Sequence, residues 1–389
     1  MIARATTLDP LAALLLSPAH LALVERVDAL VEQTIGPRAA RWDASSEAPW
    51  EDIQAVHAEG WLLANLAREY GGLGWGSAGA DPLAFYLLVE RLARGSPPTA
   101  HCVQVHNHAL QMVSALSTAE QRERWLAPTR ERAALLVGVG AEPVGAPPTT
   151  AARVEGGYRV RGTKHYATNA TLAEWIWTVA IAEESGERLM LLVHKDTAGL
   201  EIDSSVWSPT GMRSCVSPTL RLDDCVIPDE DVLGPPGAWI EGHWLAVFNL
   251  GFAANYLGSA QGMYDWLVAY ARSRPGVGDP FRQAEVGELK TRLDAARLLL
   301  YHTALLFKQD HERALLGSLQ AKWITQDTLN RIIEVGGDVA GSTAMFREYP
   351  LERFYRDMHL HATHSRQIVS AQVVGASELG AEYHIDRQR

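Results

Sequence analysis

The sequence predicts an α+β chain in three parts: a helical N-terminal domain over 1–133, a central β-barrel or sandwich domain over 134–235, and a C-terminal four-helix bundle over 236–389. Three observations predict it. Apolar residues recur at helical spacing through the first stretch, and from about Leu135 the period shortens towards two. After Pro235-Pro236-Gly237, helical spacing returns in four long runs. With 389 residues, 47% of them hydrophobic, the chain can bury a large core and divide into two or three domains.

The N-terminal elements follow in order. Ser17-Pro18 caps a helix on which Leu21, Val24, Val27 and Val31 form an apolar stripe. Pro49 to Gly60 is a second helix, and the loop Gly71-Gly72-Leu73-Gly74 follows. Phe85, Leu88, Val89 and Leu92 mark a third helix ending before Pro97-Pro98, after which a helix carries His101, His106 and His108. Ser117-Thr118-Ala119-Glu120 is a capping box for one more. In the central part, Arg153 to Lys164 alternates around Gly156-Gly157, the pattern of a hairpin. Trp175–Ile181 and Leu189–Val193 are strands, and Leu220–Leu222 and Val226–Ile227 are two more. The bundle helices are expected near 238–273, 283–311, 315–335 and 357–381.

Composition excludes several classes. Lys plus Arg number 35 against 46 Asp plus Glu, a net charge of -11, which argues against nucleic acid as a partner. The apolar run Leu11–Leu16 falls far short of the ~18 residues of a membrane span. Met1-Ile2-Ala3-Arg4 opens no secretion signal, so the expected location is cytoplasmic. Cys102, Cys215 and Cys225 have neither disulfide nor zinc spacing. Gly138-Val139-Gly140 begins like a dinucleotide fingerprint, but Pro143 takes the third glycine position and no helix follows.

Five strings in order give the chain a family likeness: Tyr70-Gly71-Gly72-Leu73-Gly74, Gly140-Ala141-Glu142-Pro143, Lys164-His165-Tyr166-Ala167-Thr168-Asn169-Ala170, Tyr270-Ala271-Arg272-Ser273-Arg274 and the run from Arg347 to Asp357. Through them the whole chain resembles the acyl-CoA dehydrogenase superfamily. The resemblance implies that superfamily's fold, a flavin between the β domain and the bundle, and a homotetramer.

Dehydrogenating an acyl-CoA requires a carboxylate at the substrate α-carbon. In most relatives that Glu follows the Tyr-Arg-Asp string by eight residues, where this chain has Ser365. In a few it comes from the first bundle helix, where an ungapped alignment gives Phe248. Neither is acidic. Histidine stands nearby instead: His361-Ala362-Thr363-His364 resembles the C-terminal helix of the dibenzothiophene monooxygenase-like, two-component flavin monooxygenases. That likeness implies reduced FMN or FAD delivered by a separate NAD(P)H flavin reductase, molecular oxygen, and a flavin C4a-hydroperoxide that oxygenates a small aromatic, heterocycle, amine or sulfur compound. Imidazole suits such chemistry because it donates or accepts a proton near neutral pH.

The candidate catalytic residues are therefore His361 and His364, with His106 or His108 assisting. His101 and His108, seven apart, share a helix face that His106 does not. For the flavin, the resemblance implies Thr168 near N5, with Tyr166 and Ala141 beside it and Arg274 reaching the flavin of a neighbouring subunit. Ala141 lacks the usual hydroxyl, and Ala146-Pro147-Pro148-Thr149 replaces the diphosphate-binding Gly-Ser-Asp. The flavin is thus expected to be FMN or a loosely held FAD. Ser365 and Phe248 are expected in the substrate pocket, and Trp207, Trp239 and Trp244 are candidates for an aromatic wall. A lone helical histidine is more often structural than catalytic. No metal is expected, since His359 and His361 lie ~200° apart at ~100° per residue. Two other readings stay open: a dehydrogenase with an unusual base, for which Glu241 is the nearest candidate, and a non-catalytic flavin-binding or assembly protein.

Overall fold

A computed structural model describes residues 14–387, so Met1–Arg4 and the start of the Leu11–Leu16 run lie outside it. Helix α1 (Pro18–Leu30) opens with a closed capping box: the Ser17 hydroxyl accepts from the His20 amide and the His20 ring accepts from the Ser17 amide, each at 3.2 Å. Its buried stripe runs through Leu23, Val24 and Val27, whereas Leu21 is 38% exposed. A π-helical turn, Val31–Ile35, leads into α2 (Gly36–Ser45), and α3 (Trp50–Ala58) follows. Helices α4 (Pro82–Gly95) and α5 (Pro97–Leu116) are buried along almost their whole length. The box that opens α6 (Ala119–Arg132) pairs Thr118 with Gln121, one residue beyond the expected Glu120.

Among the described residues seven strands form one curled sheet. They are β1 (Leu135–Val139), β2 (Thr150–Val154), β3 (Gly157–Lys164), β4 (Ala173–Ala182), β5 (Arg188–His194), β6 (Leu200–Asp203) and β7 (Thr219–Pro228). The order is β1-β4-β2-β3-β7-β6, with β5 also on β4. The hairpin around Gly156-Gly157 is β2–β3. The two pieces expected near Leu220 and Ile227 are one strand, β7, whose register with β3 shifts between Val160 and Gly162. Val160, Leu191 and Cys225 fill one small core of the curl, and Val137, Ile176 and Leu220 another.

After the short α7 (Ala238–Glu241) come the long bundle helices α8 (Trp244–Arg272), α9 (Pro280–Leu306) and α10 (His311–Ala340). The fourth, expected as one helix, is broken into α11 (Leu351–Ala362) and α12 (Gln367–Glu378). Gln326 on α10 supports the break by donating to the Ala362 carbonyl and, at 3.2 Å, to that of Ser365. His364 and Ser365 therefore sit in a bend. One large core unites the N-terminal helices with the bundle. Across it, buried Glu90 on α4 accepts from Arg297 at 3.0 Å and from the Tyr301 hydroxyl at 2.8 Å, both on α9.

Candidate active site

A cavity of about 1130 Å³ opens between the sheet and the helices, large for a small-molecule site. The sheet contributes Val139, Gly140, Ala141, Tyr166, Thr168 and the β4 row Trp177, Val179 and Ile181. The helices contribute His101 and His108 from α5, Phe248 and Phe252 from α8, and His361 with His364 at the end of α11.

The seven-residue spacing on α5 brings His101 and His108 to this cavity together. His108 fits because α8 has no side chain at Gly251, where a Cβ would lie 2.3 Å from His108 Nε2. His108 then stacks on Phe248 at 4.5 Å. His101 meets His361 edge-on at 5.2 Å, and Tyr256 backs His361 at 4.8 Å. His364 stacks on Phe252 at 4.4 Å. His106 is turned away: its Nδ1 accepts from the Leu136 amide at 2.8 Å, so Nε2–H donates to the Leu62 carbonyl at 2.9 Å. It ties α5 to β1 and is not among the residues that line the cavity; of the two alternatives, His108 is the one that lines it.

Burial decides the charge of these rings. It holds His101 down to about 4 and His108 down to about 3, the latter helped by His101. Burial likewise keeps His361 well below the usual imidazole range, with added repulsion from His101, His364 and Lys322. The expectation of an imidazole titrating near neutrality is corrected here: at pH 7 these three are neutral. Neither ring nitrogen of His361 has a hydrogen-bond partner, nor has His101 Nδ1. Sequence reasoning missed Lys322, which no motif marks. Buried on α10 and held down to about 8 by desolvation, it donates to Asn249 Oδ1 at 2.7 Å.

Among the described residues two carboxylates, Glu142 and Asp386, line the cavity, and both have partners. Lys164 donates to Glu142 at 2.5 Å and, against the effect of burial, helps hold that carboxyl below its usual range. Asp386, in the C-terminal tail, meets His243 Nδ1 at 2.8 Å and accepts from the Ala246 amide at 2.9 Å. Only the fold makes Asp386 a neighbour of the site. Glu241, the sequence candidate for an alternative base, is exposed on α7 and outside the lining. Ser365 is also outside it, its carbonyl taken by Gln326, whereas Phe248 is in the wall. Trp207 and Trp239 line the cavity, Trp239 lying 5.0 Å from Trp177; Trp244 is packed behind Phe248 at 6.1 Å. Tyr166 lines it in a left-handed backbone conformation, φ 64°. Arg274 is exposed beyond α8, over the Tyr270 ring at 4.9 Å, and away from the cavity. Among the described residues no group of three or more His, Cys, Asp or Glu could hold a metal, and no helix is long and apolar enough to cross a membrane.

Family models of the acyl-CoA dehydrogenase N-terminal, middle and C-terminal domains match residues 17–132, 138–225 and 250–367. The chain belongs to the acyl-CoA dehydrogenase family. It is 28% identical over 362 residues to the mitochondrial short-chain specific acyl-CoA dehydrogenase of Homo sapiens, covering 88% of this chain and 85% of that one. Glutaryl-coenzyme A dehydrogenase has the same fold, with TM-score 0.86 and 22% identity over 96% of this chain and 98% of its own. So does the dibenzothiophene monooxygenase TdsC of Paenibacillus sp. A11-2, with TM-score 0.82 and 21% identity over 95% and 99%. Acyl-CoA dehydrogenase family members are flavin-dependent oxidoreductases, and the cavity's own polar atoms suit an isoalloxazine. The β1 end brings Gly140 and Ala141 to the cavity, Thr168 supplies a hydroxyl oxygen, and the opposite wall holds the His101 and His361 rings.

Proposed function

We propose that this family member is a reduced-flavin-dependent monooxygenase acting on a small organic substrate. The observation that carries the reading is the composition of the wall: the two positions where the resemblance implies a dehydrogenase base are Ser365 and Phe248, the wall there holds Phe248, His361 and His364, and both carboxylates among the described lining residues are engaged. A bound reduced flavin would supply the electrons that activate oxygen. Ala141 and Thr168 would hold its edge, with Tyr166 beside it.

The chain's own part is to keep the site dry and to direct hydrogen bonds. His101 and His361, neutral at pH 7, each offer one N–H and one acceptor nitrogen. Both nitrogens of His361 and Nδ1 of His101 are buried without a partner, at a cost of roughly 1–3 kcal/mol each. The rings of Trp177, Trp207, Trp239, Phe248 and Phe252 exclude water, which favours substrate oxygenation over loss of hydrogen peroxide. Aromatic walls favour an aromatic or heterocyclic substrate; TdsC, of the same fold, has been crystallised with FMN and indole. A separate NAD(P)H flavin reductase would supply the flavin, FMN or FAD, and Arg274 would act across an interface of a homotetramer.

The direct test supplies photoreduced FMN or FAD, oxygen and a panel of aromatic heterocycles. The reading expects an oxygenated product with little hydrogen peroxide; peroxide alone, with every substrate, contradicts it. Identity to the short-chain dehydrogenases favours a second reading, acyl-CoA dehydrogenation. That reading needs Asp386 to leave both His243 and the Ala246 amide to act as base.

A further inference from the structure

The hydroxyl of Thr168 points its proton one way. Thr168 Oγ1 and Ser217 Oγ are 2.7 Å apart, and Ser217 Oγ lies 2.7 Å from the Cys215 carbonyl oxygen. A carbonyl only accepts, so the single Ser217 proton is spent on Cys215. The proton between the two hydroxyls then belongs to Thr168, which is left with lone pairs alone for the cavity that it lines. Backbone bonds on both sides keep the pair in register: Ala167 N–H donates to the Pro218 carbonyl at 3.0 Å and Asn169 N–H to that of Val216 at 3.2 Å. Thr168 and Ser217 are both buried, 9% and 5% exposed.

We infer that Ser217 is a positioning residue that makes Thr168 an obligate hydrogen-bond acceptor, so that the site selects flavin by redox state and favours the reduced form. The inference rests on the proposed reading, with flavin N5 at Thr168 as the sequence resemblance implies. Reduced N5 carries a hydrogen and donates; oxidised N5 has only a lone pair, and two acceptors would face each other. The difference is one neutral hydrogen bond made or lost, about tenfold in affinity.

The test measures dissociation constants of oxidised and reduced FMN anaerobically, with FAD in parallel, and the midpoint potential of the bound flavin. The wild-type protein should bind the reduced form about tenfold tighter, which for a two-electron couple raises the potential by about 30 mV over free flavin. Ser217→Ala frees the Thr168 proton and should bring the ratio near one; Ser217→Thr should restore it. Thr168→Val, which removes the acceptor, should also abolish the preference and serves if Ser217→Ala folds poorly. Equal wild-type constants, or a ratio that Ser217→Ala leaves unchanged, overturn the inference while leaving the flavin site standing. No uptake of either flavin in either state removes the flavin site itself.

Discussion

Phe248 lies flat on His108, their ring centroids 4.5 Å apart and their planes 3° from parallel. Phe248 thus stands as wall at a position where the sequence resemblance places a base in a few relatives, and its ring packs the His108 imidazole against α8. Phe248→Ala should cost about 2 kcal/mol, below the usual range for a buried aromatic because the side chain borders a cavity. Urea denaturation reads this directly; a loss below about 0.5 kcal/mol would mean that the stack carries little.

His361 is buried, 5% exposed, with neither nitrogen partnered. Such a ring is retained at a cost, so His361→Phe should leave stability unchanged or raise it by about 1 kcal/mol. On the proposed reading the same variant should release more hydrogen peroxide per flavin oxidised. A clear loss of stability, with the yield of product intact, would make His361 structural.

His106 predicts the opposite pattern. His106→Ala leaves the Leu62 carbonyl and the Leu136 amide unpaired in the interior and should cost about 3 kcal/mol. The folded fraction should still partition oxygen between product and peroxide as the wild type does. His108→Ala should disturb that partition, so comparing the two variants separates their roles.

Acid sensitivity follows from the buried imidazoles. Unfolded, each titrates near 6.5; folded, His101 and His106 titrate at about 4 and His108 at about 3. Between those values the unfolded chain binds more protons. Their stabilisation is therefore complete above pH 6.5 and is lost as the pH falls through the folded values. Asp357 opposes this trend: burial pushes its carboxyl up to about 7 from 3.8, so its contribution is complete below 3.8 and lost as the pH rises through 7. Asp357→Asn keeps an acceptor for the Met212 amide, 2.6 Å away. It should raise the urea midpoint at pH 8 and leave it nearly unchanged at pH 4. An equal shift at both would dissociate the effect from titration.

Local periodicity made the helical and strand blocks readable, because one-sided apolar patterns mark how an element meets a core. It also separated His106 from His101 and His108 on α5. It could not say which side of α5 meets the cavity, since α5 is buried all round and that choice is made by β1 and Gly251. The bend that carries His364 was hidden for a similar reason: no glycine or proline marks it, and Gln326 on another helix supplies the missing bonds. Asp386 was illegible because it reaches the site only through tertiary folding, as was Lys322, which lies over the Phe252 ring without lining the cavity. The strings around Thr168 and Asp357 were legible only through their resemblance to a family, not through periodicity.

Among the described residues no free carboxylate lines the cavity. The most direct test is anaerobic mixing of the flavin-loaded protein with a series of acyl-CoA thioesters, following the absorbance of the oxidised flavin. The absorbance should persist with every thioester. Rapid bleaching by any of them, abolished by Asp386→Asn, would contradict it and place the proton-abstracting base in the C-terminal tail.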